Sequence, residues 1–155
     1  MKSRLPDRPL VMVVRNLKGT LAINNDRSKA SGAFIAVCED NRYVRDFLLI
    51  ALTEAGYRVL AAADGKTMLE IIVRHEERPL LLLTGQNITG MNGIELVKGV
   101  RGMFADLPVI MISGLSNPME EERGNFVFLK KPLMITSLLR EIRCLLRCPE
   151  PGLSA

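Results

Sequence analysis

Histidine occurs once in the 155 residues and cysteine three times, at Cys38, Cys144 and Cys148. An odd cysteine count in a chain without a secretory signal argues against a disulfide framework. Cys144 and Cys148 lie one helical turn apart, but His75 is the sole histidine. A four-ligand zinc site therefore lacks its ligands, and the pair reads as small apolar residues on a terminal helix. Long apolar runs are also missing. The run Leu80 to Leu83 is far too short to cross a bilayer. The basic N-terminus is not followed by an apolar stretch with a cleavage site, so the expected location is cytoplasmic, with no membrane partner. Neither GxGxxG nor GxxxxGKS/T occurs, which excludes the usual phosphate loops of nucleotide-binding α/β folds.

What is present is a globular balance, with 48% hydrophobic and 25% charged residues. The length suits one domain with a full core. The net charge of +4 is unevenly placed. Residues 1–32 hold seven Lys/Arg against two Asp, or +5, and residues 33–155 hold fourteen against fifteen, or −1. The basic character thus belongs to an N-terminal extension, read as a solvated tail or a hairpin of "LVMVV" and "TLAIN". It has no interleaved aromatics to stack on bases, so DNA binding is not expected of it.

From Phe34 the pattern becomes regular. "FIAVC", "YRVLAA", "LLLLT", "LPVIMIS" and "NFVFLK" read as five strands. "NRYVRDFLLIALTEAG" follows the first, with Val44, Phe47, Leu48, Ala51, Leu52 and Ala55 at helical spacing. Asp40 or Asn41 can cap its start and Gly56 its end. In "DGKTMLEIIVRHEE" the inward set is Met68, Leu69, Ile72 and Val73. "GIELVKGVRGM" and "PLMITSLLREIRCLLR" give two further helices, and "NPMEEERG" supports a turn or two. Strands alternating with helices predict an α/β domain with a parallel sheet covered on both faces. In such sheets function collects at the carboxyl ends of the strands.

The strand ends carry the chemistry. The first delivers Glu39 and Asp40, the third Thr84 and Gly85, the fourth Ser113, and the fifth Lys131 before Pro132. An acidic pair, a hydroxyl and a lysine on one rim suit a hard cation beside an anion. The alternative is that the acidic pair caps a helix and Lys131 offsets its charge. Taken in strand order, this set resembles the receiver domain of two-component response regulators over residues 33–148. "VCEDNRYVR" matches the first strand and acidic pair, and "EAGYRVLAAADGKTMLEII" the second strand and helix. "GMNG" resembles the family's "GMDG" loop, "MISG" supplies Ser113, and "FLKKP" supplies Lys131 and Pro132. Phe128 falls at the aromatic switch position.

The resemblance implies a flavodoxin-like (CheY-like) doubly wound sheet of order 2-1-3-4-5. It makes residues 1–32 an extension and 149–155 a tail. It also implies an aspartate at the end of the third strand that takes a phosphoryl group from a histidine kinase, with Mg²⁺ held nearby. Counting back through "GQNITGMNG" puts Gly85 at that aspartate's position. Glycine has no nucleophile, and the strand pleat turns Thr84 to the opposite face. Ser113 and Lys131 are then remnants of a phosphoryl pocket. Glu39, Asp40 and the Asn87 backbone carbonyl are remnants of a weakened Mg²⁺ site, with Lys131 able to reach the acidic pair. The interval from Ser113 to Lys131 is also short by about a helical turn, which predicts a reduced fourth helix.

The expected function is a pseudo-receiver: not an enzyme, but a phosphorylation-independent module binding a histidine kinase or another signalling protein. A homodimer is compatible with the sequence. So is a receiver that lost its acceptor by a single substitution, in which Gly85→Asp restores phosphorylation and Mg²⁺ binding. A third reading is a phosphohydrolase in which Glu39 and Asp40 activate a metal-bound water. With few residues after the last helix, no DNA-binding output domain is expected there.

Overall fold

The computed structural model describes residues 33–75, 78–114 and 126–147. The readings made for the leader, the shortened fourth helix and the C-terminal tail lie outside the described residues. The elements run β1 (Phe34–Cys38), α1 (Arg42–Glu54), β2 (Val59–Ala62), α2 (Gly65–Arg74), β3 (Pro79–Gly85), α3 (Gly93–Met103), β4 (Val109–Ser113), β5 (Phe126–Lys130) and α4 (Ile135–Arg147). All neighbouring strands pair in parallel, in the order β2-β1-β3-β4-β5.

Every residue of β1, β2 and β4 is buried, as is all of β3 except the half-buried Leu80. The pleat divides these apolar side chains between two layers. Ala36, Cys38, Leu60, Leu82 and Met111 pack with Met68, Ile71 and Ile72 of α2 and with Leu96, Val97 and Val100 of α3. Ile35, Val37, Val59, Leu81, Leu83, Ile110 and Ile112 pack with Leu48, Leu49 and Leu52 of α1 and with Leu138 and Ile142 of α4. Each fully buried Val, Leu, Ile or Met side chain among them contributes roughly 1.5–3 kcal/mol of transfer free energy, so the two layers together hold the sheet.

Two helix faces differ from the expected ones. On α1 the buried residues are Leu48, Leu49, Leu52 and Thr53, while Phe47 is 46% exposed and Ala55 is exposed. On α2 Ile71 turns inward and Val73 is 67% exposed. In both cases the inward stripe is rotated by about one position from the one spacing suggested. The helix ends follow local chemistry. Asn41 caps α1 by accepting from the Tyr43 and Val44 N–H groups, and Asp64 caps α2 through Thr67 N–H at 2.7 Å. Gly56 takes φ of 100° just past α1, a left-handed value that suits glycine.

The loop from β3 to α3 is fixed by two glycines. Gly90 sits at φ of 86°. Gly93 starts α3 with its N–H donating to the Gln86 carbonyl at 2.7 Å. A Cβ there would collide with the Gly85 carbonyl and lie 3.0 Å from Met111 Cε. Asn92 caps α3 in a capping box with Glu95, each side chain accepting the other residue's backbone N–H. Gly93→Ala should therefore destabilise the domain by about 1–3 kcal/mol through overpacking against backbone. Gly102→Ala, at an α3 position with open space around it, should instead stabilise it by about 0.4–1 kcal/mol. Urea unfolding of the two variants checks both signs.

Candidate functional site

The carboxyl ends of β1, β3, β4 and β5 form one rim. Gly85 closes β3. A Cβ built on it would lie 2.8 Å from Glu39 Oε1 and 3.5 Å from Ile88 Cγ2. Glu39 thus turns its carboxylate into the space where a side chain of residue 85 would begin. That side chain is only 3% exposed. Its Oε2 accepts the Asn41 N–H at 3.0 Å. Its backbone carbonyl accepts from Arg45 Nη1 at 2.9 Å, so α1 returns a guanidinium to the tip of β1. Asp40 is exposed, with Thr89 Oγ1 donating to its Oδ2 at 3.4 Å.

Thr84 turns away from this space. It pairs with Cys38 and Met111 and lies in their layer, and its hydroxyl donates to the Gly85 carbonyl at 3.0 Å. Ser113, at the end of β4, is buried and donates its hydroxyl to Gln86 Oε1. Asn87 is exposed and forms an isolated antiparallel bridge with Asn92, which draws the loop together. Phe128 is half-buried against the α2–α3 layer and pairs with Met111.

Lys131 is tied to the rim by its backbone, with its N–H donating to the Ser113 carbonyl at 2.9 Å. Its side chain is exposed, and no ion pair joins it to Glu39 or Asp40 among the described residues. Instead it lines a groove of about 320 Å³ with Tyr43, Val44, Phe47, Ile112, Pro132 and Leu133. Tyr43 is 81% exposed on the same stretch of α1. Glu39, Asp40, Gly85 and Ser113 are thus on one rim, while the Lys131 side chain faces the α1 side.

Two participants were not anticipated from the sequence. Gln86 engages the Ser113 hydroxyl, and nothing in its spacing marks it. Arg45 reaches the Glu39 carbonyl from the first turn of α1, and its signal was its position one turn after the acidic pair.

The residues present do not fit a Mg²⁺ ion as arranged. Mg²⁺ keeps several waters and is held through one or two carboxylates whose oxygens are free to face it. Glu39 is buried with one oxygen in a hydrogen bond and the other against Gly85. That leaves Asp40 as the exposed carboxylate of the pair. Among the described residues no three His, Cys, Asp or Glu side chains are gathered to hold a metal.

Comparison with known proteins identifies the family. The model of the response regulator receiver domain matches residues 35–143. The chain belongs to that family, and its described domain is a receiver of the two-component signalling type. It is similar to the response regulator MprA of Mycobacterium leprae, 31% identical over 121 residues, covering 76% of this chain and 52% of that protein. The chain therefore spans about half the length of the curated relatives it matches. Among solved structures it is similar to the receiver domain of the hybrid histidine kinase CckA, with 32% identity and a TM-score of 0.65, over 74% of this chain and 100% of that one. It is similar also to the chemotaxis protein CheY4 of Vibrio cholerae, with 25% identity and a TM-score of 0.66, over 73% of this chain and 98% of that one. None of the described helices is long and apolar enough to cross a membrane.

The rim also sets the chemistry of Cys38 beneath it. Burial pushes its thiol up to about 12 from 9.0, helped by the carboxylates of Asp64, Glu39 and Asp40 and opposed by Arg45. The thiolate is the nucleophile, so Cys38 should resist alkylation at pH 8 in the folded protein and react once urea unfolds it. Because the unfolded thiol ionises first, stability from burying the neutral thiol is intact below pH 9. It should fall as pH rises from 9 towards 12, with a slope of at most about 1.4 kcal/mol per pH unit. A Cys38→Ser variant serves as the reference for both measurements.

Proposed function

We propose that the chain is a pseudo-receiver, a receiver domain that binds a protein partner in two-component-type signalling without accepting a phosphoryl group. The observation that carries this reading is Gly85 at the tip of β3, where the family places its acceptor aspartate. Glycine supplies no nucleophile. The neighbouring side chains do not replace it. Thr84 points into the opposite layer with its hydroxyl engaged, and the Ser113 hydroxyl is engaged by Gln86. Both hydroxyls near Gly85 are therefore engaged, and hydrolysis through a metal-activated water is disfavoured by the burial of Glu39.

A histidine kinase or another cytoplasmic signalling protein is the partner in this reading. The groove beside α1 supports it. Tyr43 and Phe47 are exposed apolar side chains at i and i+4 on one helical face, and Lys131 lies at the same groove. A helical segment with apolar side chains beside an acidic group matches that surface in shape and charge.

The test is intact mass after incubation of the whole chain with acetyl phosphate and Mg²⁺. No mass increase is expected under conditions that phosphorylate an aspartate-bearing receiver in the same tube. A stable gain of one phosphate would sink the proposal.

A further inference from the structure

We infer that α1 is a self-association surface: two copies of this chain pack the outer faces of α1 antiparallel about a two-fold axis, each seating Ile50 and Glu54 at the other's groove. This rests on the reading of that groove as a docking surface, and not on whether residue 85 accepts a phosphoryl group. The first observation is where the apolar exposure falls. Among the described residues six large apolar side chains are exposed, and three of them, Tyr43, Phe47 and Ile50, stand on α1. The other three, Val73, Met103 and Met134, are scattered singly on α2, on α3 and before α4. At 100° per residue, Tyr43, Phe47, Ile50 and Glu54 fall within about 60° of one another. That stripe is opposite Leu48, Leu49 and Leu52, which face the sheet. The helix is therefore apolar on its solvent side as well as its core side, and the outer stripe ends on a carboxylate.

The second observation is charge. The N-terminal end of the stripe carries exposed Arg42, with Lys131 across the groove from Tyr43, and the C-terminal end carries exposed Glu54. The groove fits a helix with apolar side chains beside an acidic group, and α1 has that pattern itself. Antiparallel packing brings Glu54 of one copy to Arg42 and Lys131 of the other and sets Ile50 against Phe47, twice over. The surface is thus self-complementary, as a two-fold interface requires. Parallel packing would set Glu54 against Glu54. Arg42 is held only by an exposed pair with Asp46 at 3.7 Å. Such a pair contributes at most about 1 kcal/mol, so the guanidinium can be shared with an incoming carboxylate. One helix face is smaller than the roughly 800 Å² per partner of a standard interface. The dimer should therefore dissociate in the micromolar range.

Sedimentation equilibrium of the whole chain from about 10 µM to about 1 mM tests this. The mean mass should rise from one chain towards two. Ile50→Lys should raise the dissociation constant at least about tenfold. Because the side chain is on the surface, Tm of the dilute protein should stay within about 3 °C. Glu54→Lys should weaken the dimer about fivefold or more. Adding Arg42→Glu and Lys131→Glu to it should restore association, which a change in folding alone cannot do. A chain that is monomeric throughout overturns the inference, as does a dimer indifferent to Ile50→Lys or a charge reversal without rescue. A monomeric chain whose groove binds a kinase helix overturns it while leaving the proposed function standing. Failure of the proposed function is read separately, as phosphorylation of the natural sequence.

Discussion

The close approach of Gly93 to the Gly85 carbonyl sets the geometry of the rim. Because Gly93 has no Cβ, the first turn of α3 can lie against the last residue of β3, and its N–H reaches the Gln86 carbonyl. That contact fixes the short loop between them. It places Asn92 to cap α3, and it places Met91 directly on Gly65 at the first turn of α2. Two helix–strand junctions are thereby referred to one backbone contact. The tip of β3 is held still, so the side chain that residue 85 carries decides what the neighbouring strands meet there.

With glycine at that point, the polar groups of the rim turn to one another. Glu39 bends towards Gly85 and the start of α1, Ser113 towards Gln86, and Asp40 towards Thr89. The hydrogen bonds of Glu39 and Ser113 satisfy buried groups that, without a partner, cost about 1–3 kcal/mol each. Closure of the pocket follows from that cost, since a buried carboxylate or hydroxyl takes the nearest donor or acceptor available. Lys131 has the reverse option. Its long stem carries the ammonium to water beside the apolar wall of the groove, so it gains little by entering a rim whose acidic members already have partners.

Much of the fold was legible because a buried parallel sheet leaves strong marks in a sequence. Leu81, Leu82 and Leu83 are apolar in succession because both faces of β3 are covered, and the strand-end residues fell in sheet order. The helix faces were less legible. Phe47 and Val73 fit a helical stripe by spacing, yet each lies at its edge, beyond the reach of the sheet. Spacing reports a period and fixes its phase only to within about one residue. The positions of Glu39, Asp40, Gly85 and Ser113 could be read from sequence, but their pairings could not. Whether Glu39 faces water or Gly85 is a matter of side-chain torsions, chosen by a vacancy that appears only when two strands are brought side by side. Gln86 was missed for the same reason, since its partner is 27 residues away.

The same distinction bears on where function resides. A receiver that switches needs a rim able to exist in two states of similar free energy, biased by a ligand or a covalent group. Here Glu39 and Ser113 are hydrogen-bonded within the rim, and the residue at the tip of β3 is a glycine. On the proposed pseudo-receiver reading, a signal has no differential contact to make at that point, and the bias enters elsewhere on the domain. The face formed by α1 and the β5–α4 connection has what the rim lacks: exposed Tyr43 and Phe47, a groove, and a lysine side chain in water. A partner binding there would act on a fixed shape, and its affinity would depend on surface complementarity and not on the chemical state of the sheet.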